Sequence, residues 1–126
     1  MVKEKYSLEF SLKSSTKVLF NRLSTAGGLN EWFADDVRVQ GKKFTFVWDG
    51  SEQVAEMVNR KDLKYVRFHW DDDEDEKAYF EFKLNVDELT GDVALIVTDF
   101  AEPDEIKDSK ELWESQINEL KHILGS

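Results

Sequence analysis

The sequence contains no cysteine, one proline and two histidines in 126 residues. Without cysteine it holds no disulfide, thiolate zinc site, iron–sulfur cluster or cysteine nucleophile. No run of about 18 apolar residues and no signal-peptide core occurs, so we expect no membrane insertion and a cytoplasmic location. Gly-x-Ser-x-Gly, His-Glu-x-x-His and phosphate-loop motifs are also missing from it. The sequence therefore points to no catalytic residues and no cofactor, and whether the protein is an enzyme stays open.

Basic side chains are scarce beside acidic ones, 17 against 27, which gives a net charge of −10. We expect no nucleic-acid partner, because binding a polyanion requires a cationic surface. Residues 1–63 carry ten basic and nine acidic side chains, whereas residues 64–126 carry seven and eighteen. Six acidic residues follow one another at 71–76, but the glycine and the glutamate that an EF-hand spacing requires are absent. This run predicts a solvated hairpin loop and no metal site.

Aromatic residues, by contrast, are plentiful at 13% of the chain, and they alternate with polar residues in several segments. Alternation with a period of two predicts half-buried strands. The Asp49-Gly50 pair predicts a two-residue hairpin turn. The predicted strands are 6–12, 37–39, 43–48, 52–60, 65–70, 78–85 and 93–101.

Helical signals occur in two places. Two stretches are suited to cap two short tandem helices after the first strand, Ser14-Ser15-Thr16 and Ser24-Thr25. Pro103 is expected to open a long helix over 104–124, with an apolar stripe of Leu112, Trp113, Ile117, Leu120 and Leu124. Because the turns between strands are too short for crossovers, the sheet should be antiparallel. The prediction is a single α+β domain over 1–126, in which a curved sheet of six to seven strands wraps around the last helix.

This order of elements resembles the helix-grip fold of the START-like superfamily, also called SRPBCC or Bet v 1-like. Residues 26–33, Ala-Gly-Gly-Leu-Asn-Glu-Trp-Phe, are similar to the second-helix signature of the branch named after the activator of the Hsp-90 ATPase. The Leu112-Trp113 pair is similar to the last helix of that branch, and 41–44 fits the start of its third strand. The resemblance implies a cavity between helix and sheet, used in the superfamily for small hydrophobic ligands and sometimes for protein contacts.

The inward positions of the predicted strands and helix define candidate cavity-lining residues. They are Phe33, Phe46, Trp48, Phe68, Trp70, Phe80, Phe82, Trp113, Gln116 and Ile117. The same residues could instead form a solid core, since protein interiors are close-packed. Gln116, at the edge of the helix stripe, either orients a polar group of a ligand or is simply exposed.

Asp99 is the carboxylate of greatest interest, because it shares a strand face with Leu95 and Val97 and would there be desolvated with a raised pKa. The alternative is that it marks a frayed strand end. Three functions stay open: a non-catalytic domain that binds a small hydrophobic ligand, a module that contacts a partner protein through its acidic half, and a cyclase-like or hydrolytic enzyme. The excess of acidic side chains in residues 64–126 favours a neutral or cationic ligand, or a basic protein. The oligomeric state is not predicted.

Overall fold

The computed structural model describes residues 3–125, which form seven strands and three helices. In chain order these are β1 Glu4–Leu12, α1 Thr16–Ser24, α2 Ala26–Asn30, β2 Asp36–Gln40, β3 Lys43–Trp48, β4 Ser51–Lys61, β5 Tyr65–Trp70, β6 Phe80–Val86, β7 Val93–Ala101 and α3 Ile106–Leu124. The α+β class and the element order confirm the prediction.

All seven strands belong to one antiparallel sheet with the order β1-β7-β6-β5-β4-β3-β2. Strands β2 to β7 form a meander of neighbouring hairpins, and β1 adds to the far edge beside β7. The hairpin between β3 and β4 has Asp49 and Gly50 as its only two loop residues, with φ angles of 50° and 79°. Positive φ at both positions is what a type I′ turn requires.

Each of the two short helices is capped by one residue of the stretch predicted to cap it. Ser15 Oγ accepts from Val18 N at 3.2 Å, and Thr25 Oγ1 accepts from Gly28 N at 2.9 Å. Gly28 lies so close to α1 that a Cβ there would come within 2.2 Å of the Asn21 carbonyl oxygen. Glycine at this position therefore lets α2 pack directly against α1.

The long helix differs from the prediction at two points. Pro103 lies in a turn, and α3 begins at Ile106 rather than at 104. Leu112, expected in the apolar stripe, is 61% exposed, because it lies about 100° around the helix from the buried Trp113. The buried face of α3 consists of Trp113, Ile117 and Leu120, with Leu124 partly buried against the core.

The core lies between α3, the short helices and the concave face of the sheet. Alternate positions of β3, β5 and β6 supply rings that pack face to face or edge to face with centroids about 5 to 6.5 Å apart. Four of them are at most 1% exposed: Phe46, Phe68, Phe80 and Phe82. In the described part of the chain, no helix is long and apolar enough to cross a membrane.

The acidic loop that follows β5 makes two ion pairs with other parts of the molecule. Asp73 pairs with Lys3 at 2.8 Å and its side chain is only 10% exposed, and Asp71 pairs with Lys43 at 2.8 Å. The run 71–76 is thus a mostly exposed hairpin loop, as expected, with ion pairs to Lys3 and to Lys43 of β3 at two positions.

Candidate functional site

A cleft of about 430 Å³ lies between α3 and the ends of β3, β5 and β7. Most of its lining is apolar, as is usual for small-molecule sites in this size range. The lining residues are Phe33, Trp48, Gln53, Trp70, Asp99, Ser109, Leu112, Trp113 and Gln116.

The ten predicted lining residues divide into two groups of five. Phe33, Trp48, Trp70, Trp113 and Gln116 border the cleft. The other five fill the core and do not line the cleft, because helix and sheet are in close contact there; they are Phe46, Phe68, Phe80, Phe82 and Ile117. The alternative of a filled interior thus holds for the middle of the sheet, while the cavity occupies one end. That these residues bind a ligand stays a prediction.

Phe33, just after α2, joins the walls of the cleft to one another. Its ring stacks on Trp113 with centroids 5.8 Å apart and meets Trp48 edge to face at 5.3 Å. Its carbonyl oxygen accepts from Trp48 Nε1 at 2.8 Å and from Gln116 Nε2 at 3.2 Å. One residue is therefore bonded to both β3 and α3, which fixes the width of the cleft at this point.

Asp99 lies inside β7, opposite Tyr6 of β1, so it does not mark a frayed end. Its Oδ2 accepts from Trp113 Nε1 at 2.9 Å, and its Oδ1 accepts from its neighbour Phe100 N at 2.7 Å. Burial raises the pKa of Asp99, while these N–H donors and the charge of Lys3 oppose the rise. The carboxyl is thus a partly desolvated hydrogen-bond acceptor at the cleft wall.

Two hydroxyl groups extend this hydrogen-bonded cluster. The Tyr6 hydroxyl lies 3.5 Å from Asp99 Oδ2 and shares a hydrogen bond with Ser109 Oγ on α3. Burial raises the pKa of Tyr6 to about 12, so the phenol stays protonated at neutral pH. The cluster therefore ties α3 to β1 and β7 and presents hydroxyl and carboxyl groups for hydrogen bonding. Both oxygens of Asp99 are engaged, which suits a positioning or recognition role.

Four of the nine lining residues are not among those predicted to line a cavity: Gln53, Asp99, Ser109 and Leu112. Gln53 could have been found from the Asp49-Gly50 turn, since a two-residue loop pairs Gln53 with Phe46 and so places both on one face. Ser109 lies one helical turn before Trp113 and shares its side of α3. Leu112 was identified but assigned to the core instead of the cleft mouth.

Glu102, Asp104 and Glu105, in the turn before α3, bring carboxylate oxygens within 4.8 Å of one another. Asp104 and Glu105 are exposed and Glu102 is partly exposed. Hard cations do prefer carboxylate oxygens, but exposed acidic groups often cluster without a metal. What this turn contributes to the site is negative charge close to the cleft.

The whole chain matches a known protein superfamily. The model of the START-like superfamily domain matches residues 1–126. The chain belongs to the START-like superfamily. A Bacteroides fragilis protein solved in solution by NMR is 44% identical, with 98% of this chain and 93% of that one covered and a TM-score of 0.71. None of the functionally curated proteins compared with this START-like domain matches it.

More distant structures share the fold of this START-like domain. The Aha1 dimer from Colwellia psychrerythraea is 19% identical, with 96% of this chain and 94% of that one covered and a TM-score of 0.79. CalU16 from Micromonospora echinospora is 10% identical, with 97% and 74% covered and a TM-score of 0.75. At these identities the likeness is one of fold.

Proposed function

We propose that this START-like domain binds a small hydrophobic molecule in the cleft beside α3, as a carrier or sensor without catalysis. The observation that carries the proposal is the composition of the cleft. Three tryptophans, a phenylalanine and a leucine supply its apolar lining, and four polar residues converge on the same space. Apolar walls supply affinity through burial, and isolated polar groups fix orientation.

The volume supports a small ligand rather than a large lipid. About 430 Å³ is near the lower end of the range of about 300 to 1,000 Å³ that drug-sized ligands occupy. Beyond the cleft, the concave face is filled by fully buried rings. A ligand with one or two ring systems, such as a naphthyl and a phenyl group, is small enough for this space.

The test uses N-phenyl-1-naphthylamine, a neutral probe whose fluorescence rises in apolar surroundings. We expect saturable binding to the purified protein and a Tm that increases with probe concentration. The variant Leu112→Trp places a larger side chain at the cleft mouth, where residue 112 is 61% exposed, so the fold should tolerate it. This variant should bind the probe at least about tenfold more weakly, as expected for loss of about 1.4 kcal/mol of binding.

Leu89→Trp is the matched control, because Leu89 is 95% exposed and does not line the cleft. It should bind the probe as the unmodified protein does. Equal weakening in both variants, or no saturable binding to the unmodified protein, would show that the cleft is not a ligand site.

A further inference from the structure

Nearly all charged residues that line the cleft and the grooves beside it are acidic. Three neighbouring grooves adjoin the cleft and share lining residues with it, one along Ser109 and Leu112, one along Gln53 and Trp70, and one along Phe33 and Trp48. Among the residues that line these four spaces, eleven are aspartate or glutamate: one in the cleft, three in the first groove, four more in the second and three in the third. A cleft within such a field concentrates cations.

Lys3 is the one basic side chain among the residues that line these four spaces. Its Nζ lies 2.8 Å from Asp73 Oδ2, so its charge is compensated by a carboxylate of the second groove. The cleft itself is lined by no basic side chain. An anionic ligand would therefore enter a negative field without a counter-charge.

The walls offer what a desolvated cation needs in place of water. The rings of Trp48 and Trp70 are only partly buried and stand 6.1 Å apart with planes inclined by 59°. Indole faces attract cations within about 6 Å of the ring centre. Asp99, whose Oδ2 is bonded to Trp113 Nε1, adds a carboxyl group to the wall of the same cleft.

We infer that the ligand of this cleft is a hydrophobic organic cation, an ammonium group on a ring-containing body, held by the indole faces of Trp48 and Trp70 and the carboxylate of Asp99. The inference rests on the proposed function and adds a chemical class to it. The apolar body occupies the aromatic cleft, and the ammonium group gains from cation–π attraction and from the acidic surroundings.

The experiment compares three ligands with the same ring system and different charges. They are the cation (1-naphthylmethyl)trimethylammonium, the neutral alcohol 1-naphthalenemethanol and the carboxylate anion 1-naphthaleneacetate. Each ligand competes with N-phenyl-1-naphthylamine at 0.15 M NaCl. At this ionic strength the interaction between exposed charges is largely screened beyond about 8 Å. We expect the cation to bind about tenfold more tightly than the alcohol, and the acetate to bind weakest. Spermidine, a cation without an apolar body, should not displace the probe.

Two variants locate the preference. Trp70→Leu removes one indole from the cleft, and Tyr79→Leu removes a partly buried ring from the opposite face of the sheet, where it contacts Phe100 at 5.0 Å. The ratio between cation and alcohol affinity should fall several-fold in the first variant and stay unchanged in the second. Asp99→Asn should lower the same ratio, and it offers a second route if Trp70→Leu folds poorly.

Equal binding of all three naphthyl ligands, or displacement by spermidine, would overturn the inference and leave the proposed function standing. If the naphthyl ligands and N-phenyl-1-naphthylamine all fail to bind, both the inference and the proposed function are wrong.

Discussion

The middle and the end of the concave sheet face are built from the same kind of residue but differ in packing. Phe68 and Trp70 are two positions apart on β5 and face the same side, yet Phe68 is completely buried and Trp70 borders the cleft. The same holds on β3 for Phe46 and Trp48. The difference shows that a common alternation supplies both core and cavity, and that the distance from the strand end decides between them.

The largest expected effect belongs to the core side of this comparison. Phe68→Ala should lower the free energy of unfolding by about 3 to 5 kcal/mol, because Phe68 packs against rings on β3 and β6 and no solvent reaches it. Urea unfolding followed by far-UV circular dichroism measures the loss. A loss below about 1 kcal/mol would mean that the middle of the sheet is not the packed region described.

Gly28→Ala should disturb both regions, since α2 leads to Phe33, whose ring touches core and cleft. The new Cβ would meet the Asn21 carbonyl at 2.2 Å, so we expect a loss of about 2 to 3 kcal/mol of unfolding free energy.

Gly27→Ala is the control for this change, because nothing lies within 4 Å of a Cβ at that position. It should be neutral or stabilising by up to about 1 kcal/mol. Similar losses in the two variants would contradict the close contact between α1 and α2.

Trp70→Ala should cost about 1 to 2 kcal/mol of unfolding free energy, less than Phe68→Ala, because part of the ring is already in contact with water. The same urea titration measures it. A cost equal to that of Phe68→Ala would erase the distinction between the two ends of β5.

The smallest effect is a pH dependence at Asp99. Burial raises its pKa in the folded state, so the folded protein holds the proton more tightly than the unfolded chain does. The stability difference between the unmodified protein and Asp99→Asn should therefore be most favourable to aspartate at low pH, and should shrink as the pH rises from about 4 through the folded-state pKa. Urea unfolding of both proteins at several pH values between about 4 and 7 measures it.

The charged groups around Asp99 act on this titration in known directions. Lys3 favours its ionised form, while the neutral Tyr6 hydroxyl and the Trp113 indole face it from β1 and α3. A difference that instead grows with pH would show that the N–H donors outweigh burial.

Much of the fold follows from local patterns. Strands β3, β5 and β7 coincide with predicted segments, because buried and less buried positions alternate along β3, β5 and the first part of β7. The predicted start of α3 is two residues too early, because proline favours a turn as well as a first helical position. The ion pair between Lys3 and Asp73 was not foreseen, since it joins segments 70 residues apart.

The site was predicted in part for the same physical reason. Alternation indicates which side chains point inward, but it does not tell how closely a helix approaches each of them. The separation of Phe46 from Trp48 depends on where α3 contacts the sheet, which is a tertiary property. The hydrogen-bonded cluster of Tyr6, Asp99 and Ser109 likewise depends on three distant segments meeting.

The pairing of β1 with β7 has a consequence for how the molecule is made. Tyr6 and Asp99 are 93 positions apart in the sequence. Strand β1 can therefore pair with β7 only after most of the chain has been synthesised. Closing so long a loop carries an entropic cost, and such pairings slow folding. The meander from β2 to β7 forms from neighbours, whereas the cleft needs β7 and α3 as well. We therefore expect amides of β1 to gain protection from hydrogen exchange later than those of β3 and β4 in a refolding experiment, and earlier protection of β1 would contradict this order.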